Sequence, residues 1–298
     1  MINFMKYKYW YFIFSLLFIL PGIYFLFRYG FNLSIDFTGG SLVEFYAPAS
    51  IDSLRNDLAS NIKIGSLQQT GPNQFILRTE SLDQASHDQL FNQLKLKYSE
   101  IESQRLETVG PILGRELIKK TLIGILFSTG FILVYVAYRF RDKKYGICAV
   151  LAMLHDSLIM LGVFSFLGFY FNVEIDALFV TALLTILSFS VHDTIVVYDR
   201  IRESQRLFPK LTYTQLVNKA VTETLTRSIN NSLTIIFMLL ALYLLGGITT
   251  KWFVFALLIG TISGTYSSTF TAAPLLVLWE DLKSDKNKKL LISSEANN

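Results

Sequence analysis

The stretch IDALFVTALLTILSFSVHDTIVVY, Ile175 to Tyr198, decides how the chain must be read. About 20 consecutive apolar residues span the hydrocarbon core of a bilayer, and this stretch is long enough. It nevertheless carries His192 and Asp193 toward one end. A charge near the bilayer centre costs roughly 2.5–3.5 kcal/mol on insertion scales, so a span that keeps one turns it toward protein or an internal pathway. The stretch therefore predicts a membrane helix with a polar face that has work to do.

Working outward, the same test finds five more windows: Trp10 to Phe27, Leu122 to Tyr138, Tyr145 to Phe169, Ile229 to Leu245 and Phe253 to Trp279. Apolar residues make up 52% of the 298 and charged ones 17%, a balance that excludes an ordinary soluble domain. The first window follows Lys6 and Lys8 but is too long for a signal h-region and has no small-residue cleavage site, so it is expected to stay as an anchor. The net charge of +4 is not a nucleic-acid footprint. Its Lys and Arg gather in four segments that six spans place on one side: Lys6 and Lys8; Arg139, Arg141, Lys143 and Lys144; Arg200, Arg202, Arg206, Lys210 and Lys219; and Lys283, Lys286, Lys288 and Lys289. Both termini are expected to be cytoplasmic. The lone Cys148 lies inside a span and offers no intrachain disulfide.

These observations divide the chain into an anchor helix at 1–29, an exterior domain at 30–120, a five-helix membrane region at 121–279 with a cytoplasmic loop at 199–227, and a basic tail at 280–298. In the exterior domain Ser41 to Tyr46 alternates as a strand, and Ile51, Leu54 and Leu58 share a helix face. Ile62 to Gln68 and Gln74 to Arg78 read as strands around Gly71-Pro72. A second helix starts near Ser81 or Asp83 with Leu90, Leu94 and Tyr98 as its stripe, and Ile101 to Val109 closes the sheet. The order βαββαβ predicts a ferredoxin-like sandwich, with some other small α+β arrangement as the competing reading. Tyr213 to Leu225 is modestly amphipathic and suits the membrane surface.

Ionisable residues inside the spans carry the functional reading. Asp193 shares a stripe with Ile186, Ser190 and Arg200, while Arg227, Asn230, Asn231 and Thr234 form a polar ribbon at similar depth on the next span. A pairing of Asp193 with Arg227 is expected: together they hold each other charged, and their separation favours the neutral carboxyl, which is how a carboxylate carries a proton. A static salt bridge that fixes helix register is the plainer alternative. His155 and Asp156 read either as support for the relay or as a cross-helix hydrogen bond, and His192 either as the edge of the pathway or as packing. Gly260 and Gly264, followed by Ser267, Ser268 and Thr271, predict a close helix contact. Asp36 before Gly39 and Gly40 marks a tight turn or a hinge.

Together, IDFTGG at Ile35 to Gly40, VGPILGREL at Val109 to Leu117, YRFRDKKYG at Tyr138 to Gly146, the His155-Asp156 pair, FSVHDTIVVYDRIRE at Phe189 to Glu203, Arg227 in its TRS context and GTYSS at Gly264 to Ser268 resemble the SecF family, the smaller subunits of bacterial SecDF protein-export complexes. The resemblance implies a resistance-nodulation-division architecture in the inner membrane with a periplasmic domain. It also implies a SecD partner, the SecYEG channel with accessory YajC, a translocating polypeptide as cargo, and the proton gradient as energy source with no cofactor. The family's relay aspartate and arginine map onto Asp193 and Arg227. One departure stands out: SFSVHDT replaces the usual GYSxNDT, putting Ser188, Phe189 and His192 where the family has Gly, Tyr and Asn. A histidine there would share the proton or tune the working pH.

Three rivals remain weaker. An intramembrane aspartyl protease would use Asp156 and Asp193 as a dyad, but the GxGD context is missing. A metal site from His155, Asp156, His192 and Asp193 lacks ligands that converge, since neighbours on a helix diverge. A small-molecule or lipid exporter of the same superfamily usually carries both six-span halves in one chain. No phosphate loop or dinucleotide fingerprint is present, and no enzymatic activity is expected.

Overall fold

The computed structural model describes residues 3–140 and 142–283; Arg141 and the basic tail from 284, with Lys286, Lys288 and Lys289, lie outside the described residues. The chain gathers into two compact units. Residues 32–124 with 174–177 form an α/β unit, and 3–31, 125–173 and 178–283 form a helical unit.

The chain enters through one 3₁₀ turn into α1 (Lys8–Tyr29). The α/β unit then runs α2 (Ile35–Thr38), β1 (Gly40–Tyr46), α3 (Ile51–Ala59), β2 (Ile64–Gly71), β3 (Gln74–Thr79), α4 (Gln84–Lys97) and β4 (Glu102–Val109). The sheet is antiparallel in the order β2-β3-β1-β4, the ferredoxin-like arrangement expected. Ser50 and Asp83 cap α3 and α4 by accepting from the N–H groups of Ser53 and Ser86. Val43 and Phe45 of β1 and Phe75 and Leu77 of β3 alternate inward onto Leu54 and Leu58 of α3 and Leu90, Phe91 and Leu94 of α4. β2 begins and ends later than its apolar pattern suggests. Ile62 is drawn into the end of α3, donating its N–H to Leu58 O, while the hairpin pairs Gly71 with Gln74.

Five long helices follow: α5 (Pro111–Phe140), α6 (Lys143–Phe171), α7 (Ala177–Leu207), α8 (Tyr213–Leu245) and α9 (Lys251–Ser267). α9 passes through a π-helical turn at Ser268–Ala272, and the helix resumes to Lys283. With α1 these make six helices long and apolar enough to cross a membrane. The spans are longer than their apolar windows because polar turns continue them. The expected loop at 199–227 is a correction: α7 runs on to Leu207, α8 starts at Tyr213 behind a Thr212/Gln215 capping box, and only 208–212 is non-helical. Arg200 pairs with Glu223 at 2.6 Å and Arg139 with Asp199 at 2.9 Å, tying helix ends together.

Tyr213 to Leu225 is likewise no surface helix. It is the first part of α8, and Val217, Ala220 and Val221 are fully buried against Cys148, Ala152, Tyr198 and Leu276. Its amphipathicity is spent on protein. Small residues allow the closest crossings of the bundle: a Cβ on Gly162 would meet Gly22 Cα at 2.5 Å, and one on Gly260 would meet Ile186 Cγ1 at 2.5 Å. The GxxxG of the last span thus does what its spacing predicts, with α7 as the neighbour.

Candidate functional site

Two carboxylates lie inside the helical unit, Asp156 on α6 at 1% exposure and Asp193 on α7 at 6%. Asp156 is saturated. Its Oδ1 accepts from Ser263 Oγ at 2.6 Å and faces His155 Nδ1 at 3.0 Å; its Oδ2 accepts from Ser190 Oγ at 2.5 Å and Ser267 Oγ at 2.6 Å. His155 Nε2 continues to Ser15 Oγ at 2.9 Å, so the network reaches α1 as well as α7 and α9. Four donors around one carboxylate replace the water it lost, which is what a buried charge requires.

Asp193 is held on one side only. Its Oδ2 accepts from Ser268 Oγ at 2.6 Å and from Ser228 Oγ on α8, while Oδ1 accepts no hydrogen bond among the described residues. Ser268 sits at the start of the π-helical turn, a local irregularity that often marks a functional position. The neighbouring Ser267 serves Asp156. One helix segment therefore holds both carboxylates.

The expected Asp193–Arg227 pair does not form. Ser228, one residue further on, takes the inward position, and Arg227 points about 100° away onto the exposed face of α8 with no ion pair among the described residues. Asn230, Asn231 and Thr234 share that exposure, so the polar ribbon exists but faces out of the chain. His192 is exposed on α7 for the same reason. No hydrogen bond joins Asp156 to Asp193 among the described residues, and no three His, Cys, Asp or Glu side chains there gather as metal ligands.

The GG turn is built within the α/β unit. Gly39 and Gly40 have φ of +74° and +129°. A Cβ on Gly39 would lie 2.7 Å from Pro111 Cα and one on Gly40 2.6 Å from Thr79 O, so the turn needs glycine twice over. Asp36 Oδ2 accepts from the N–H of Ala177, the first residue of α7, at 2.9 Å. IDFTGG and VGPILG, distant in sequence, thus pack on each other: a Cβ on Gly114 would meet Phe37 O at 2.7 Å.

Sequence reasoning missed the serines. Ser190, Ser228, Ser263, Ser267 and Ser268 do the holding; in the sequence Ser190 reads only as sharing the Asp193 stripe, Ser267 and Ser268 only as a close helix contact, and Ser228 and Ser263 carry no reading at all.

A six-span helical unit with buried carboxylates, joined to a ferredoxin-like domain whose first turn carries paired glycines, defines a polytopic membrane transport subunit. The family description "Protein export membrane protein SecD/SecF, C-terminal" matches residues 89–282, and "SecD/SecF GG Motif" matches residues 24–45, which include the glycine turn. The chain belongs to the SecF family of protein translocase subunits. It is 43% identical over 304 residues to the SecF subunit of Thermobaculum terrenum, covering 94% of this chain and 95% of that one. It is 38% identical to that of Anaerolinea thermophila, covering 94% of each. A crystal structure of SecDF, a translocon-associated membrane protein from Thermus thermophilus, superposes with a TM-score of 0.85 at 34% identity, covering 94% of this chain and 39% of that longer one.

Proposed function

We propose that this subunit of the Sec export machinery couples inward proton flow to the late movement and release of polypeptide, with Asp193 as the proton-carrying group. The observation that carries the reading is the contrast between the two carboxylates. Asp156 has every acceptor position occupied, whereas Asp193 keeps one oxygen open while serines steady the other. A proton needs an open oxygen and a carboxyl that stays in place when neutral.

Asp193 has no cation beside it within the described chain, and Arg227 with Asn230 and Asn231 is exposed at the next helix. An arginine and two amides facing lipid would be costly, so this ribbon meets a second membrane subunit. The Thermus thermophilus relative, named a SecDF subunit, is a longer chain of which this one covers 35%. That length supports a SecD subunit as the partner that supplies the missing half and closes the pathway around Asp193. The rest of the assembly is SecYEG with YajC, in the inner membrane, with both termini cytoplasmic and the α/β domain periplasmic. The largely exposed sides of α1 and α5 meet lipid or that partner. His192, exposed next to Asp193, tunes the pH range of transfer. Energy comes from the gradient, without bond chemistry on a substrate and without a cofactor.

The test is Asp193→Asn, read as gradient-dependent completion of export in membrane vesicles after ATP is exhausted. Loss of that step with the complex intact is the expected result. Export at the normal rate would overturn the relay.

A further inference from the structure

The connection between α6 and α7 holds a carboxyl that the relay does not use. Glu174 belongs to the α/β unit, where its segment is bound by backbone hydrogen bonds to residues 32–34. Ser34 N–H donates to Ile175 O at 2.9 Å, Ile175 N–H donates to Asn32 O at 2.8 Å, and Leu33 and Ile175 pair as a parallel bridge. Docked this way, Glu174 places its Oε2 2.6 Å from Arg78 Nε of β3, both side chains largely withdrawn from solvent. The two groups meet as charges rather than as an aligned hydrogen bond, since neither atom has a partner of good hydrogen-bond geometry. The other ionised groups acting on the pair are Asp36 from α2, Asp176 from the same segment and Glu44 from β1, and Glu44 itself lies 3.7 Å from Arg105 of β4.

We propose that Glu174 is a second proton-binding group of this protein, one that takes up a proton when segment 174–177 docks against residues 32–34 and Arg78 and gives it up when the segment leaves. Asp176 and Asp36 act on Glu174 as like charges, and Arg78 acts on it as the opposing one. Burial pushes Glu174 up to about 7 from the ordinary 4.5; Arg78 opposes the shift, and Asp176 and Asp36 add to it. The sign follows from linkage. A carboxyl that binds its proton more tightly when docked than when exposed favours docking as pH falls, and that advantage is lost as pH rises through about 7. Glu174 stands three residues before Ala177, where α7 begins, and α7 carries Asp193. The inference deepens the proton-coupled reading above and rests on it for its purpose: it places a proton-dependent contact at the chain's entry to the relay helix.

Hydrogen exchange on the full chain in lipid nanodiscs tests it, using the amides of 32–36 and 173–177 as reporters and correcting for the intrinsic pH dependence of exchange. A shift from 4.5 to about 7 makes the docked state about tenfold more favoured at pH 6 than at pH 8. Protection of those amides should rise by about that factor in the unaltered protein. It should be high and independent of pH in Glu174→Gln, whose amide mimics the protonated carboxyl. Equal protection at both pH values in the unaltered protein, or an unchanged pH response in Glu174→Gln, overturns the proposal. The measurement needs neither gradient nor cargo, so it succeeds or fails independently of the Asp193→Asn export assay.

Discussion

Asp156→Asn tests the carboxylate around which four helices of the bundle are tied. Asp156 accepts from His155 and Ser263 on one oxygen and from Ser190 and Ser267 on the other. An amide turns one oxygen into a donor, so in either orientation two of these contacts must reverse, the serine hydroxyl or His155 Nδ1 turning to accept, and all four lose the charge they donate to. Hydrogen bonds to a charged acceptor are worth about 1.5–3 kcal/mol each, and breaking a buried charged network costs about 3–5 kcal/mol. Ser267 recovers part of this by its second bond to Gly264 O at 3.2 Å. The expected loss of folding free energy is therefore about 2–5 kcal/mol. Asp156→Ala should lose more, because all the donors are then stranded, and Ser263→Ala less, about 1–3 kcal/mol, because one bond goes. Reversible unfolding of the full chain in mixed micelles with rising SDS fraction measures each. A value for Asp156→Asn within about 0.5 kcal/mol of the unaltered protein would refute the reasoning, since that is the range of a surface change.

Asp193→Asn should behave in the opposite way. Its carbonyl can take the place of Oδ2 and keep the bonds from Ser228 and Ser268, so the same unfolding assay should move by less than about 1 kcal/mol while gradient-driven export is lost. Gly260→Ala drives a methyl into Ile186, whose Cγ1, Cγ2 and Cβ would lie 2.5, 2.6 and 3.0 Å away. A loss of about 1–3 kcal/mol is expected, with partial rescue by Ile186→Ala in a double-mutant cycle. Gly39→Ala combines a φ of +74° with a Cβ 2.7 Å from the Pro111 backbone, which has no flexible end to give way. It should lower the thermal midpoint of the full chain and cost about 2–5 kcal/mol.

The sequence carried the architecture because the bilayer leaves few choices. A long apolar run must be a helix, and the period-2 and period-3.6 patterns of the α/β domain separate cleanly, as Val43 and Phe45 against Leu54 and Leu58 illustrate. The site was half legible. Asp193 and Asp156 were evident as charges in apolar runs, but their partners were assigned by charge rather than by face. On α8 the buried side passes through Val217, Val221, Thr224, Ser228 and Ser232. Arg227 falls one step off that line, and a check of the stripe would have placed Ser228 inside. The same off-by-one places His192 outside while Ser190, Asp193 and Thr194 face in. Serines gave no warning because a hydroxyl on a membrane helix usually bonds back to its own turn, as Ser232 does to Ser228 O. The union of Glu174–Ala177 with the α/β unit was illegible, since it rests on backbone bonds between segments far apart in sequence.

The two carboxylates share a holding segment, although no hydrogen bond joins them among the described residues. Ser267 and Ser268 are consecutive, so their side chains leave the helix about 100° apart and reach different neighbours, Asp156 on α6 and Asp193 on α7. The π-helical turn that begins at Ser268 also brings Ala272 O to the hydroxyl of the fully buried Tyr198, at 3.2 Å. Neutralising Asp193 would weaken the charge that Ser268 donates to, one residue after Ser267 is held by Asp156. The Asp156 and Asp193 contacts are therefore held by one segment, which runs on beyond the π-helical turn to the end where Glu280 and Asp281 pair with Lys144 and Lys8.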